Sequence, residues 1–165
     1  GAYSCSDRAL RHVEIGRAGD WREEALVLND VVISRGEISR LIRLRTRVNG
    51  EPLTEYNADG LVIATPTGST AYSLSAGGPI LAPQSGVFVI TPICPHVLTN
   101  RSVIVEDSST IEVEASEPDH PVYLTVDGGS PTNLEFGQTV RIRKPAKTLP
   151  LAVLAGVSFF HVVRL

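Results

Sequence analysis

The chain has no methionine, a single tryptophan and only two cysteines, Cys5 and Cys94, in 165 residues. Two cysteines so far apart fit neither a disulfide framework nor a CxxC metal site, and they favour a reducing, cytoplasmic setting. The missing methionine includes position 1, so the chain is expected to be a piece of a longer product. No apolar run approaches the roughly 20 residues of a membrane span. The opening "GAYSCSDRAL" lacks the order of charged then apolar residues that marks a signal peptide, and none is expected there. A net charge of −3 argues against a nucleic-acid surface.

Familiar catalytic fingerprints are also missing. No Lys follows the Gly-Ser-Thr run, so there is no Walker A loop; GxGxxG and GxSxG do not occur. His12, His96, His120 and His161 have no HxxxH or HExxH spacing, and no metal ligands are assigned.

What is present is a globular composition, 42% hydrophobic and 20% charged, long enough for one domain over residues 1–165. The pattern is mostly strand-like. "RLRTRV" alternates Arg with Leu44, Thr46 and Val48, then meets Asn49-Gly50, a strong hairpin signal, before "EPLTEY". "EALVLNDVVIS" reads as one apolar strand interrupted by Asn29-Asp30. "GLVIAT" and "GVFVIT" read as buried strands. "SVIVEDSSTIEVEA" reads as a second hairpin turning at Asp107 to Ser109. "PVYLTVDGGSP" is a strand entering a tight turn, and "QTVRIRK" alternates again. Short strands at this spacing, parted by Pro and Gly turns, predict a mainly β sandwich or barrel. The arginines Arg40, Arg43, Arg45 and Arg47 form either a solvated strand face or an anion site.

One segment is predicted to be helical, 68–76, with Thr67 as N-cap and Gly77-Gly78-Pro79 ending it. It lies in "ATPTGSTAYSLSAGGP", which puts Thr65, Thr67, Ser69, Thr70, Tyr72, Ser73 and Ser75 within eleven positions. Two readings stand. The hydroxyls either bond their own backbone in an ordered loop, or line a polar site at a strand-to-helix turn, where free backbone N–H groups meet a ligand. Asn29-Asp30, inside an apolar run, is either a bulge or strand end, or supplies a ligand-facing amide. Asp59-Gly60 and Asp127-Gly128 are turn pairs by chemistry alone.

The segment "NADGLVIATPTGSTAYSLSAGGPIL", Asn57 to Leu81, closely resembles the signature of the NAD kinase family. "LNDVVISRG", "VNGEPLTEYNADG", "ITPICPHVLTNRSVIV" and "LTVDGG" resemble further family segments in the same order. The likeness covers roughly Leu26 to Arg164. Asp30 stands where Glu is commoner, and Gly129 where Gln or His often occurs. The resemblance implies the C-terminal domain of a two-domain fold, a β-sandwich with one short helix. The family's N-terminal α/β domain carries a Gly-Gly-Asp-Gly motif with the catalytic Asp. That motif does not occur here, so no catalytic residue is assigned in this chain.

The family transfers the γ-phosphoryl of ATP, or a phosphoryl of polyphosphate, to the 2′-hydroxyl of NAD's adenosine ribose, giving NADP, with a divalent metal, Mg or Mn. The resemblance implies that Asn29 and Asp30 bind the adenosine part. It implies that Thr67, Thr70, Ala71 and Tyr72 line the same pocket, and that Asp59 accepts from a nicotinamide or adenine amino group across a subunit boundary. Thr65 and Asp127 are further candidates. It also implies a cytoplasmic homo-oligomer, dimer or tetramer, with no nucleic-acid or membrane partner. The alternative is an oligomerisation domain that has kept the sandwich but not the ligand. A lipid kinase of shared architecture is disfavoured by the intact "TPTGSTAY" run.

Overall fold

A computed structural model of the chain describes residues 3–37, 39–145 and 148–154, with the first and last strands and Glu23 described by backbone alone. His161 and the "FFHVVRL" tail lie outside the described residues. In chain order the strands are β1 (Tyr3–Ala9), β2 (Arg11–Arg17), β3 (Asp20–Val27), β4 (Asp30–Ser34), β5 (Ile42–Val48), β6 (Glu51–Ala58) and β7 (Gly60–Ala64). After a short helical segment come β8 (Val87–Ile93), β9 (Val103–Glu106), β10 (Ile111–Ala115), β11 (Val122–Val126), β12 (Thr132–Leu134), β13 (Thr139–Arg143) and β14 (Thr148–Leu154).

Twelve of these strands form two six-stranded antiparallel sheets. The first runs in the order β3-β2-β13-β10-β5-β6 and the second β12-β11-β4-β7-β8-β9, while β1 and β14 pair as a separate ribbon. The mainly β fold expected from the sequence is therefore present, as a sandwich. One continuous core fills the space between the sheets, with Val13, Leu44, Ile111 and Ile142 from the first meeting Ile33, Ile63, Phe88 and Leu124 from the second. Burial of one such side chain contributes about 1.5–3 kcal/mol.

The period-2 reading holds best on the first sheet. β5 alternates buried and exposed, and Asn49 and Gly50 take the positive φ angles, 52° and 79°, that a tight two-residue hairpin needs. The outward Arg43, Arg45 and Arg47 are exposed; Arg43 pairs with Glu117, and Arg45 with Glu55 and Glu114. The arginine stripe is thus a solvated strand face, with Arg43 and Arg45 charge-compensated. On the same face the buried Glu14 is gripped by Arg141 and Arg143. Burial pushes its pKa up, but these two guanidiniums outweigh that and hold it below the usual carboxylate range.

The second sheet is different because two of its strands are covered twice. All five residues of β7 are buried. Leu61 and Ile63 face the sandwich core, whereas Val62 and Ala64 join Leu81 and Val89 in a second cluster on the outer face. That double burial is why "GLVIAT" reads as a continuous apolar run rather than an alternating one.

Three sequence expectations are corrected. "EALVLNDVVIS" is not one strand: β3 lies in the first sheet and β4 in the second, and the chain crosses between them at Leu28-Asn29. "SVIVEDSSTIEVEA" does turn after Glu106, but β9 and β10 belong to opposite sheets and do not pair, so this too is a crossing and not a hairpin. The helix over 68–76 is split into a 3-10 turn, Thr67–Thr70, and a single turn α1, Tyr72–Ser75, broken at Ala71 with ψ −129°. In addition, β1 and β2 were not legible as strands. Among the described residues no helix is long and apolar enough to cross a membrane.

Leu124 is 1% exposed and packs between the sheets. Leu124→Ala should cost about 2–5 kcal/mol by opening a core cavity. Arg45→Ala, on the outer face, should stay within about 0.5 kcal/mol. Urea midpoints of the two variants check the contrast.

Candidate functional site

The site is built around the crossing at Leu28-Asn29, held from two directions. From β11, the carboxylate of Asp127 accepts three consecutive backbone N–H groups: Leu28 on Oδ2 at 2.9 Å, and Asn29 and Asp30 on Oδ1 at 2.7 and 3.1 Å. Asp127 can serve this way because its backbone takes φ 49°, a left-handed turn that Asp tolerates and Gly128 continues at φ 70°. From the end of β7, the Thr65 hydroxyl donates to the carbonyl of Leu28 at 2.6 Å, and the Thr65 N–H donates to that of Asn29 at 2.9 Å.

The 3-10 turn then packs directly on the crossing. Thr65 Oγ1 accepts from the N–H of Gly68 at 3.1 Å. A Cβ at Gly68 would lie 1.9 Å from the Asn29 carbonyl oxygen, so only glycine allows this approach. Thr65, rather than Thr67, therefore ties the start of the turn; the residue before the turn, Pro66, makes no side-chain cap. Ser69, fully buried, donates to the Pro66 carbonyl at 2.8 Å and accepts from the Leu81 N–H at 2.9 Å, pinning the segment across the outer face of the second sheet.

The hydroxyl-rich stretch therefore divides by spacing. Thr65, Ser69 and Ser73, four residues apart, are buried. Thr70, Ala71 and Tyr72 are exposed, with Thr67 between the two states. The backbone-bonding reading holds for Thr65 and Ser69.

A cleft of about 460 Å³ opens where this exposed edge meets the outer face of β4 and β11. Asn29, Asp30, Ala71, Tyr72 and Asp127 line it, brought together from three separate parts of the chain. Gly128 also lines it, as do Val32, Ser34 and Thr125. These three were missed in the sequence; their signal is period 2, since they follow Asp30 and precede Asp127 at alternate positions on one sheet face. Thr67 and Thr70 are adjacent but are not among the lining residues, and Thr65 is occupied by its backbone contacts. Asp59 is elsewhere. It lies at the opposite end of β7, about 20 Å along the strand from Thr65, where it pairs with Arg35 at 2.9 Å.

Asp30 is the electrostatic centre of the cleft. It is 4% exposed, and burial pushes its pKa up. The neighbouring Asp127 charge pushes the same way, and a backbone N–H from Tyr72 partly offsets both. Among the described residues no three His, Cys, Asp or Glu side chains are grouped to hold a metal ion.

A two-sheet sandwich with a cleft on one outer face, walled by a TPTGSTAY turn, defines a recognisable class of β domain. A family model described as ATP-NAD kinase C-terminal domain matches residues 28–153. The chain belongs to this family. It is 43% identical over 164 residues to an NAD kinase of Geotalea daltonii and 44% identical to one of Geobacter sulfurreducens, covering 99% of this chain in both cases. It spans 58% of the length of each of these relatives. Among solved structures, yeast NADH kinase complexed with NADH superposes with a TM-score of 0.83 at 33% identity, over 90% of this chain and 44% of that one. An NAD kinase from Archaeoglobus fulgidus in complex with ATP gives 0.71 at 25% identity, over 87% and 55%.

The raised pKa of Asp30 has a definite sign in stability. An acid whose folded pKa lies above its unfolded value binds more protons when folded, so its contribution is full below the unfolded pKa and is lost as pH rises through the folded one. Asp30→Asn removes that loss. Relative to the parent chain, the variant should therefore gain stability as pH rises above the ordinary carboxylate range. Urea unfolding as a function of pH measures it.

Proposed function

We propose that this domain is the dinucleotide-holding part of an NAD kinase, which phosphorylates the 2′-hydroxyl of NAD's adenosine ribose to give NADP. The observation that carries this reading is the convergence of Asn29, Asp30, Ala71 and Tyr72 on one cleft, in a chain of the ATP-NAD kinase family. Asn29 offers both an amide donor and a carbonyl acceptor. Asp30, when ionised, accepts from ribose hydroxyls. Tyr72, 47% exposed, offers a ring face to a base, and Ala71 keeps the approach open. Thr67 and Thr70 add hydroxyl contacts at the cleft's margin, and Asp59 serves the cleft of a neighbouring subunit in a homo-oligomer.

The phosphoryl donor is ATP or polyphosphate, with Mg or Mn. The donors of that metal are assigned to no residue of this chain. The general base is likewise assigned outside this chain. Phosphoryl transfer depends mostly on positioning and charge stabilisation. Holding the ribose is thus this domain's share of the catalysis, carried out in the cytoplasm.

Incubated with NAD, ATP and Mg, this chain alone should form no NADP, whereas the chain joined to the N-terminal part that its relatives carry should do so. In calorimetric titration NAD should bind at one site. Asn29→Ala should weaken it roughly 10- to 100-fold, the loss of one or two hydrogen bonds of about 1–1.5 kcal/mol each. NADP from this chain alone would overturn the division of labour, and NADP from neither form would overturn the kinase reading.

A second reading is an assembly domain without retained ligand. It is favoured by Ile104, 50% exposed on the edge strand β9, and by Leu98, 84% exposed. Intact oligomers in sedimentation together with no NAD heat would select it.

A further inference from the structure

Asp127 lines the cleft, yet its carboxylate is already committed. Both oxygens accept backbone N–H groups, three in all, from Leu28, Asn29 and Asp30. A carboxylate holding three consecutive amides fixes the backbone that carries Asn29 and Asp30 into the cleft. Its backbone N–H in turn donates to the Asp30 carbonyl at 2.9 Å, closing the contact from both sides. We propose that Asp127 is a positioning residue of this site, which acts on a bound dinucleotide through Asn29 and Asp30 rather than by touching it. The proposal rests on the dinucleotide reading above.

The same geometry links the site to pH. The groups acting on Asp30 are the Asp127 carboxylate and the Tyr72 N–H, and the phenol of Tyr72 is the other ionisable group on the cleft wall. An ionised Asp30 accepts from ribose hydroxyls and a protonated one does so less well, so NAD affinity should rise as pH passes through the Asp30 titration. Asp127 holds that titration at higher pH by like-charge repulsion.

Asp127→Asn is the informative variant. Its amide oxygen still accepts from Asn29 and Asp30, while its NH2 faces the Leu28 N–H and the charge is gone. At pH 7 it should weaken NAD at least tenfold in calorimetry, and the pH at which affinity rises should move down. A merely structural role would leave that pH where it is. Amide hydrogen exchange at 28–30, with no ligand present, should speed up while the core amides of β7 keep their protection. Asp127→Glu, which keeps the charge, should leave the affinity transition nearer its original pH. Unchanged affinity and an unchanged pH transition in Asp127→Asn, beside a parent chain that binds NAD, would overturn this role alone. A parent chain that binds no NAD would overturn the dinucleotide reading and this role with it. If Asp127→Asn does not fold, Asp127→Glu carries the test: its carboxylate is displaced by one methylene, so native-like exchange at 28–30 together with native-like affinity would overturn the role.

Discussion

The cleft depends on one set of backbone contacts, the grip on Leu28–Asp30. Asp127 takes its N–H groups and Thr65 takes its carbonyls. The crossing is where the chain leaves one sheet for the other, so its polar groups have no ladder to join. A buried backbone group without a partner costs on the order of 1–3 kcal/mol, a demand that falls on the half-buried Asp30 N–H more than on the solvent-reached amides of Leu28 and Asn29. Meeting that demand with side chains from β11 and β7 registers three strands at one end of the sheet. Asp30 then opposes Ala64, and Val31 opposes Val126. The cleft is the space left on the outer face once that registration is made.

The hydroxyl-rich turn gains its order from the same grip. Gly, Ser and Thr are weak helix formers, and isolated turns this short are not stable in water. Here the turn is held by Ser69 between Pro66 and Leu81, by Gly68 against Asn29, and by the apolar cluster beneath it. Tertiary contact, not propensity, sets its shape. That is why a single helix over 68–76 was expected and two short turns are found: the break at Ala71 lets the first turn sit on the crossing and the second meet the cleft.

Much of the sandwich was legible because solvated strands alternate. Arg43, Arg45 and Arg47 announced β5, and Asn49-Gly50 announced its hairpin. The two crossings were not legible, because a turn between strands looks the same whether the chain returns beside itself or passes to the facing sheet. Asn29-Asp30 carried a usable signal, since polar groups inside an apolar run must be paired or be at a strand end, and these sit where the chain passes from β3 to β4. Asp127 looked like an ordinary turn residue. Its three amide partners lie 97 to 99 positions away in the chain, and no local pattern reports a contact that distant.

The alternation of buried Thr65, Ser69 and Ser73 with outward Thr70, Ala71 and Tyr72 separates two kinds of evolutionary freedom within one short stretch. Changes at the inward positions disturb folding before they alter recognition. Changes at the outward Ala71 and Tyr72 alter the cleft wall while leaving the buried contacts of the turn intact. If the cleft holds a dinucleotide as proposed, a lineage altering its choice would find its available steps at 71 and 72, on one exposed rim of one turn.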